Sequence, residues 1–440
     1  MQGTAALKQR EGLFTLLQES WAEMLRVSNL RVGDRRSART WKQLVLGVLL
    51  KRSTRLVTIA QALLPWRKSH TVDALGVSIG RFLASTPFPS RAVSRAWLAE
   101  GGRGLVGQME RYRGLALLVV DGTEYAKRSR VKRARHMQYV GRVRDPRGKQ
   151  KSVPGYVDIW AGVVLRGKQF LPLSRHLFSG AHPHLASQNG VEEAVTDEAL
   201  RVLQSYGLQA VVLADRGFGR KEWIIALAQR QQAFVIRLDP DIQVWRTGEN
   251  APLILAQVLE TAPWLGHGRW GRRDEGTLTG QLRTLAARIR FSRSGRKHDY
   301  REAKVHFLQF VPDDPSIDPL TLVTSFPIRN LNRAQRIMEL YAQRWAIETA
   351  IETMSAWGLD RFMVRSWRAI DRLLWIVALA YMLMQLALHG GRHLRAFREQ
   401  CWSIIKQRAA LGRRYTLGKL AEAIGLDYIY HPDAWAPLRL

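Results

Sequence analysis

Apolar residues at three- and four-residue intervals dominate the chain from its start to about Glu110. LFTLLQESWAEML is amphipathic with a 3.6-residue period, and TWKQLVLGVLL follows it. TRLVTIAQALLPW, from Thr54 to Trp66, predicts a compact helix stopped by Pro65; after the turn-like RKSHT, VDALGVSIGRFLAS predicts a partner helix. Short helices joined by tight turns and carrying Arg and Lys suit a helix-turn-helix-like DNA reader. A helical cap on the next domain is the other reading, and both stay open.

At Leu115 the spacing changes. LALLVVD is an unbroken apolar run, as expected of a strand buried on both faces, and it ends in Asp121. The following Gly122 leaves two readings, an Asp-Gly turn or a carboxylate presented at a sheet edge. GYVDIWAGVVL, from Gly155 to Leu165, and KQFLPLSRHLF are further strand candidates. The segment from Gly190 to Gly207 predicts a helix. LQAVVLAD is then a second apolar strand ending in an aspartate, Asp215, just before a Gly-rich turn and the helix RGFGRKEWIIALAQR. Sites form at such strand ends in open α/β sheets. AFVIRL adds a strand, and the alternation predicts an α/β protein.

Between about Asp239 and Pro327 helices give way to strands: ARIRFSRS, AKVHFLQFV and LTLVTS. In ARIRFSRS, Ile289 and Phe291 face one way and Arg288 and Arg290 the other. Trp245, Trp264 and Trp270 fall in this β-rich stretch; each is a core residue or a platform for an unpaired base. YAQRWAIET comes next. On one helix capped by Asn332 and stopped by Gly358, Tyr341, Arg344 and Glu348 share a face at i, i+3 and i+7. Arg precedes Glu, the less favourable order for a helix ion pair, and Glu352 adds a further carboxylate. LLWIVALAYMLMQLAL, Leu373 to Leu388, is 16 residues long and contains Gln385. A bilayer needs about 20 residues, so this is expected to be a buried core helix. The tail beyond His389 is basic and helical.

Charge sharpens this picture. Lys+Arg 68 against Asp+Glu 37 gives a net charge of +31, which predicts a polyanionic partner, most simply nucleic acid. Lys127 to Lys151 holds eleven Lys or Arg and one acid, Asp145. Arg128, Arg130, Lys132, Arg133, Arg135, Arg142 and Arg144, with Arg288 and Arg290, are therefore candidate contacts to the phosphate backbone. The single Cys401 excludes a disulfide framework and a zinc finger, so the chain reads as cytosolic. The sequence carries no GxxxxGK[ST] and no HExxH, which disfavours nucleotide-driven helicases and zinc hydrolases. The N-terminal segment lacks the apolar core of a signal peptide.

Asp121, Asp215 and Glu348 supply three carboxylates from two strand ends and a later helix. Three acids brought together need counter-charge, and hard oxygen ligands favour magnesium. Two ions about 3.5–4 Å apart would serve in-line phosphodiester displacement. Arg344 would contact a phosphate and Tyr341 would position the backbone.

LLVVDGT, VVLADRGFG and YAQRWAIET together resemble the three active-site blocks of DDE transposases from bacterial insertion sequences, in particular the IS-four type with its Tyr-x2-Arg-x3-Glu signature. The resemblance spans roughly Leu115 to Leu388. It implies an RNase H-like core interrupted by a β-rich insertion, with Asp121, Asp215 and Glu348 binding Mg²⁺ or Mn²⁺, and Tyr341 and Arg344 as accessory residues. The expected organisation is a helical DNA-binding region over 1–110, the core over 111–238 and 328–390, the insertion over 239–327, and a basic helical tail over 391–440. It further implies cleavage at the element's ends and joining of the 3′ hydroxyl to target DNA. The enzyme would act as a dimer on double-stranded DNA bearing terminal inverted repeats, in the bacterial cytoplasm, without membrane or nucleotide cofactor. The family's Lys seven residues after the Glu is Ser355 here. That departure keeps in view an inactive, sequence-specific DNA-binding relative, and a nuclease that cuts without joining is a further alternative.

Overall fold

The computed structural model describes residues 35–64, 70–126, 136–144, 150–185, 187–246, 248–249, 251–272, 276–292, 300–359 and 361–389. Four helices come first: α1 (Arg35–Lys51), α2 (Leu56–Leu63), α3 (Val72–Ser85) and α4 (Ser90–Arg103). Then follow β1 (Arg111–Tyr112), β2 (Leu115–Ala126), β3 (Gln138–Arg144), β4 (Gln150–Leu165) and β5 (Gln169–Phe178). Next are α5 (Gln188–Ser205), β6 (Ala210–Ala214), α6 (Lys221–Gln229) and β7 (Ala233–Arg237). The β-rich stretch holds β8 (Gln243–Val244), β9 (Leu253–Ile254), α7 (Leu255–Glu260), β10 (Trp264–Arg272), β11 (Gly276–Phe291), β12 (Arg301–Pro312) and β13 (Leu320–Thr324). Helices α8 (Leu331–Ala342), α9 (Trp345–Ala356) and α10 (Trp367–His389) close the described chain.

The organising unit is a mixed sheet in which β5, β4, β2, β6 and β7 lie side by side. β4 runs antiparallel to both β5 and β2, whereas β2, β6 and β7 run parallel to one another. This order fits an RNase H-like core. The central strands are apolar on both faces because helices flank them: α5 packs on β4, β5 and β2, α9 on β5 and β2, and α6 on β7. Strands β13, β12, β11 and β10 continue the same sheet outward from β7. The β-rich stretch thus adds its strands to the core sheet by backbone hydrogen bonds, while β8 and β9 form a separate pair.

Strand β2 does not end at Asp121. It runs on to Ala126, paired with β4 as far as Ala126↔Gly155, so Asp121-Gly122 is strand and not a turn. What stops near Asp121 is the other partner, since the β2–β6 register ends at Val120↔Ala214. The aspartate marks where β2 loses a neighbour on one side and its edge opens to solvent.

Helix α10, from Trp367 to His389, is the apolar segment expected in the core; 94% of its most apolar stretch is buried. Helices α1, α3 and α4 and strand β5 cover it. Arg372 fixes this packing by donating to the carbonyls of Phe82, Leu83, Thr86 and Phe88 at the C-terminal end of α3 and the link to α4. Of the two readings of the N-terminal helices, capping the next layer is the packing that α1, α3 and α4 have here. Deeper in the core, Arg175 on β5 is fully buried and pairs with Asp158 at 2.7 Å and Asp371 at 2.9 Å, which ties β4, β5 and α10 together.

Candidate functional site

Two parallel strands deliver the two aspartates to one end of the sheet. Val120 and Ala214 are the last registered pair, and Asp121 and Asp215 follow them on adjacent strands. Adjacent strands run about 4.8 Å apart. Asp215 adopts extended backbone, φ −83 and ψ 179, before a short 3₁₀ turn at Arg216–Phe218. The chain returns so tightly there that a Cβ on Gly219 would lie 2.8 Å from the Arg237 carbonyl oxygen, which explains the glycine.

The block expected as one helix is two. Helix α8 ends at Ala342 and α9 begins at Trp345, with Gln343 and Arg344 in a tightened turn between them. The N–H groups of Gln343, Arg344, Ala346 and Ile347 reach back three residues, to Leu340, Tyr341, Gln343 and Arg344. No Gly or Pro stands at this junction. Packing produces it: α8 lies on β10, and Trp345 stacks against Trp270 of β10 at 6.0 Å. The cap of α8 is Asn330, whose side chain accepts from the Arg333 N–H, and not Asn332. Gly358 stops α9 as expected, at φ +89, with Leu359 N–H bonding the Met354 carbonyl and Gly358 N–H that of Ser355.

This break distributes the three side chains. Tyr341 is buried and its hydroxyl donates to Asp215 Oδ1 at 3.0 Å. Arg344, only 5% exposed, donates from Nη1 to Asp121 Oδ2 at 2.9 Å, and its Nη2 is ion-paired with Glu348 Oε1 at 2.6 Å. Its Cζ also lies 5.7 Å from the centre of the Tyr341 ring. Arg237, at the end of β7, stands 3.9 Å from Asp215 Oδ1. Its place at the end of the strand after Asp215 is the sequence signal that points to it.

The electrostatics follow. Burial pushes the Asp121 carboxyl up to about 6, with Asp215 and Glu348 adding to the rise and Arg344 and the Gly122 N–H opposing it. Asp215 moves the other way. Burial opposes its ionisation, but Arg344, the Arg216 N–H, Arg237 and Tyr341 together outweigh burial and hold it below its ordinary value. Burial, with the Asp215 charge beside it, raises the Tyr341 phenol, so it stays a donor.

The expected gathering of carboxylates around a shared ion is not the arrangement found. Among the described residues no three His, Cys, Asp or Glu side chains stand close enough to hold a metal ion. Asp121 and Glu348 meet instead across the Arg344 guanidinium, which supplies their counter-charge. Tested as a donor set, the residues nevertheless suit a hard divalent cation: all ligands are carboxylate oxygens, and each of the other two acids raises the Asp121 pKa.

The other expected contacts scatter. Arg128, Arg130, Lys132, Arg133 and Arg135 lie outside the described residues, as do the side chains of Arg142 and Arg144. Arg288 and Arg290 are half-buried on β11 and pair with Glu302 across the ladder at 3.7 and 2.8 Å, which offsets part of that basic face. Trp264 is 49% exposed with Arg283 over its ring at 4.7 Å, and Trp245 carries Arg290 at 5.2 Å. Trp270 is buried against Phe310 and Trp345, and it lines a groove of about 450 Å³ with Arg269, Gln335 and Gln343 beside the α8–α9 junction. Ser355 is half-buried on the last turn of α9.

Residues 175–383 match the family model described as Transposase DDE domain, a span that includes Asp215, Tyr341, Arg344 and Glu348 and starts after Asp121. No curated protein matches the chain. Among solved structures, the cryo-EM structure of a piggyBac transposase synaptic complex with hairpin DNA is similar, at 12% identity and TM-score 0.44, covering 89% of this chain and 76% of that one. Over residues 175–383, then, the chain is similar to the transposase DDE-domain family.

Proposed function

We propose that the protein is a metal-dependent DNA transposase that cuts at the ends of its own element and joins the 3′ hydroxyl to target DNA. One observation carries this reading: Asp121, Asp215 and Glu348, from three separate parts of the chain, converge on one sheet end around Tyr341 and Arg344. Asp121, Asp215 and Glu348 would hold Mg²⁺ or Mn²⁺, most simply two ions. Such ions supply charge stabilisation and an activated oxygen for in-line displacement when bound.

The chain's own residues do the rest. Tyr341 holds Asp215 in one rotamer through its hydroxyl. Arg344 carries a planar fork that matches a phosphodiester, and a scissile phosphate beside Asp121 and Glu348 would be within its reach. The groove beside Trp270 and Trp345 has room for a base drawn from the duplex. The +31 charge supports a duplex partner, with basic contacts from Arg128, Arg130, Lys132, Arg133, Arg135, Arg142, Arg144, Arg288 and Arg290, and a dimer on the paired ends.

Incubating the protein and Mg²⁺ with DNA bearing the inverted repeats that flank its reading frame is expected to give end cleavage and joined products. Ser355 in place of the family's Lys favours one second reading, a nuclease lacking strand transfer. Cleavage without joined products would establish that reading instead, and tight binding with neither would leave a regulator.

A further inference from the structure

Arg344 stands between the two carboxylates that a cation would need. One terminal nitrogen holds Asp121 Oδ2 and the other holds Glu348 Oε1. A divalent ion at those oxygens would meet the positive charge of the guanidinium already paired with both acids, so the two cations oppose each other there. The third nitrogen, Nε, is buried with no hydrogen-bond partner. A guanidinium normally spends its donors fully when buried. The group therefore has a further acceptor to gain, and phosphate offers several. The residue also sits on the tightened turn between α8 and α9, where backbone bonds close at three residues. A 3₁₀ turn interrupting a helical path often marks a hinge or a sequence under strain.

We propose that Arg344 is an internal cation that closes the carboxylate site of the free protein, and that a DNA phosphate, by capturing its guanidinium, opens the site to divalent metal. The proposal rests on the reading of Asp121, Asp215 and Glu348 as the metal-binding set, and it adds an order: phosphodiester first, metal second. Binding linkage then makes the effect reciprocal, so metal tightens DNA by the factor with which DNA tightens metal. Arg237 is the internal control. It lies 3.9 Å from Asp215, a comparable positive charge beside the site, but it bridges no pair of the three acids.

The test is Mn²⁺ binding to the full chain, read by electron paramagnetic resonance, with no DNA present. Arg344→Gln is expected to bind Mn²⁺ at least about tenfold more tightly than wild type, and Arg237→Gln to gain much less. Arg344→Lys keeps the charge but loses the fork; it is expected to gain several-fold and serves if the Gln variant does not fold. A mixed 40-base-pair duplex is expected to tighten Mn²⁺ on wild type by more than on Arg344→Gln. Unchanged or weaker Mn²⁺ binding in both Arg344 variants overturns the proposal, and so does an equal gain from Arg237→Gln. Loss of Mn²⁺ binding in Glu348→Gln separates the two levels. If that loss occurs while the Arg344 variants gain nothing, the acids hold metal and Arg344 is no plug. If Glu348→Gln and Asp215→Asn bind as wild type does, the underlying assignment of the acids fails.

Discussion

Replacing Asp121 by Asn is expected to stabilise the metal-free protein at neutral pH while removing its activity. The carboxyl is pushed from 3.8 up to about 6, chiefly by burial, despite the bonds from Arg344 and Gly122. A carboxyl with a folded pKa above its unfolded one binds its proton more tightly when folded. The stability it confers is therefore full below about pH 4 and is lost as pH rises through about 6. At about 1.4 kcal/mol for each tenfold in acidity, the charge costs up to about 3 kcal/mol at pH 7.5. Asn escapes most of that cost but turns one amide hydrogen toward Arg344 or Gly122, so a net gain of about 1–2 kcal/mol is expected. The assay is urea unfolding of both proteins in EDTA from pH 4 to 8. The difference between them should grow from near zero at pH 4 to its plateau above pH 7. A variant less stable than wild type at pH 7.5, or a difference that ignores pH, would refute the burial argument.

Asp215→Ala is expected to lower end cleavage and joining by more than about a thousandfold while repeat binding, measured by gel shift, stays within a few-fold. A mutant that still cuts removes Asp215 from the site. Tyr341→Phe leaves the ring packing but takes the donor from Asp215, and a loss of about 1 kcal/mol in unfolding free energy should accompany reduced cleavage. Gly358→Ala meets both a φ of +89 and a Cβ 2.8 Å from Thr54 Oγ1, so about 1–2 kcal/mol of destabilisation is expected in thermal unfolding. Duplex binding, followed by fluorescence anisotropy, should weaken steeply with KCl; a flat response would argue against phosphate contacts.

Much of the core was legible because its signals are local. LALLVV and AVVLA are apolar without alternation, which only strands covered on both faces require, and each is followed by an aspartate. The stop at Gly358 was legible for the same reason, since a positive φ selects glycine. What escaped depends on partners distant in sequence. Strand β2 passes through Asp121 because β4 is long enough to pair with it to Ala126, and nothing in VDGTEYA announces that. The break at Gln343 and Arg344 carries no Gly or Pro; it follows from Trp345 packing on Trp270, 75 residues earlier in the chain. The burial of Trp270 and the exposure of Trp264 are equally tertiary, as they stand six positions apart on one strand.

That break also sets the site's electrostatics. On one straight helix Tyr341, Arg344 and Glu348 form a stripe, and the i,i+4 pair looks like a weak surface contact. With the helix tightened at Arg344, Tyr341 turns to Asp215 and the guanidinium is carried under the sheet edge to Asp121, where it becomes 95% buried. A buried guanidinium with two carboxylates and one unpartnered nitrogen is a poor way to stabilise a fold. Apolar packing of similar volume commonly does as well or better. The arrangement is intelligible if the same charges have a second partner that the free protein lacks. Three acids held near one another, with Asp121 charged at a cost in stability, and an arginine that can be drawn off by a stronger acceptor, are what a site built for polyanion chemistry requires.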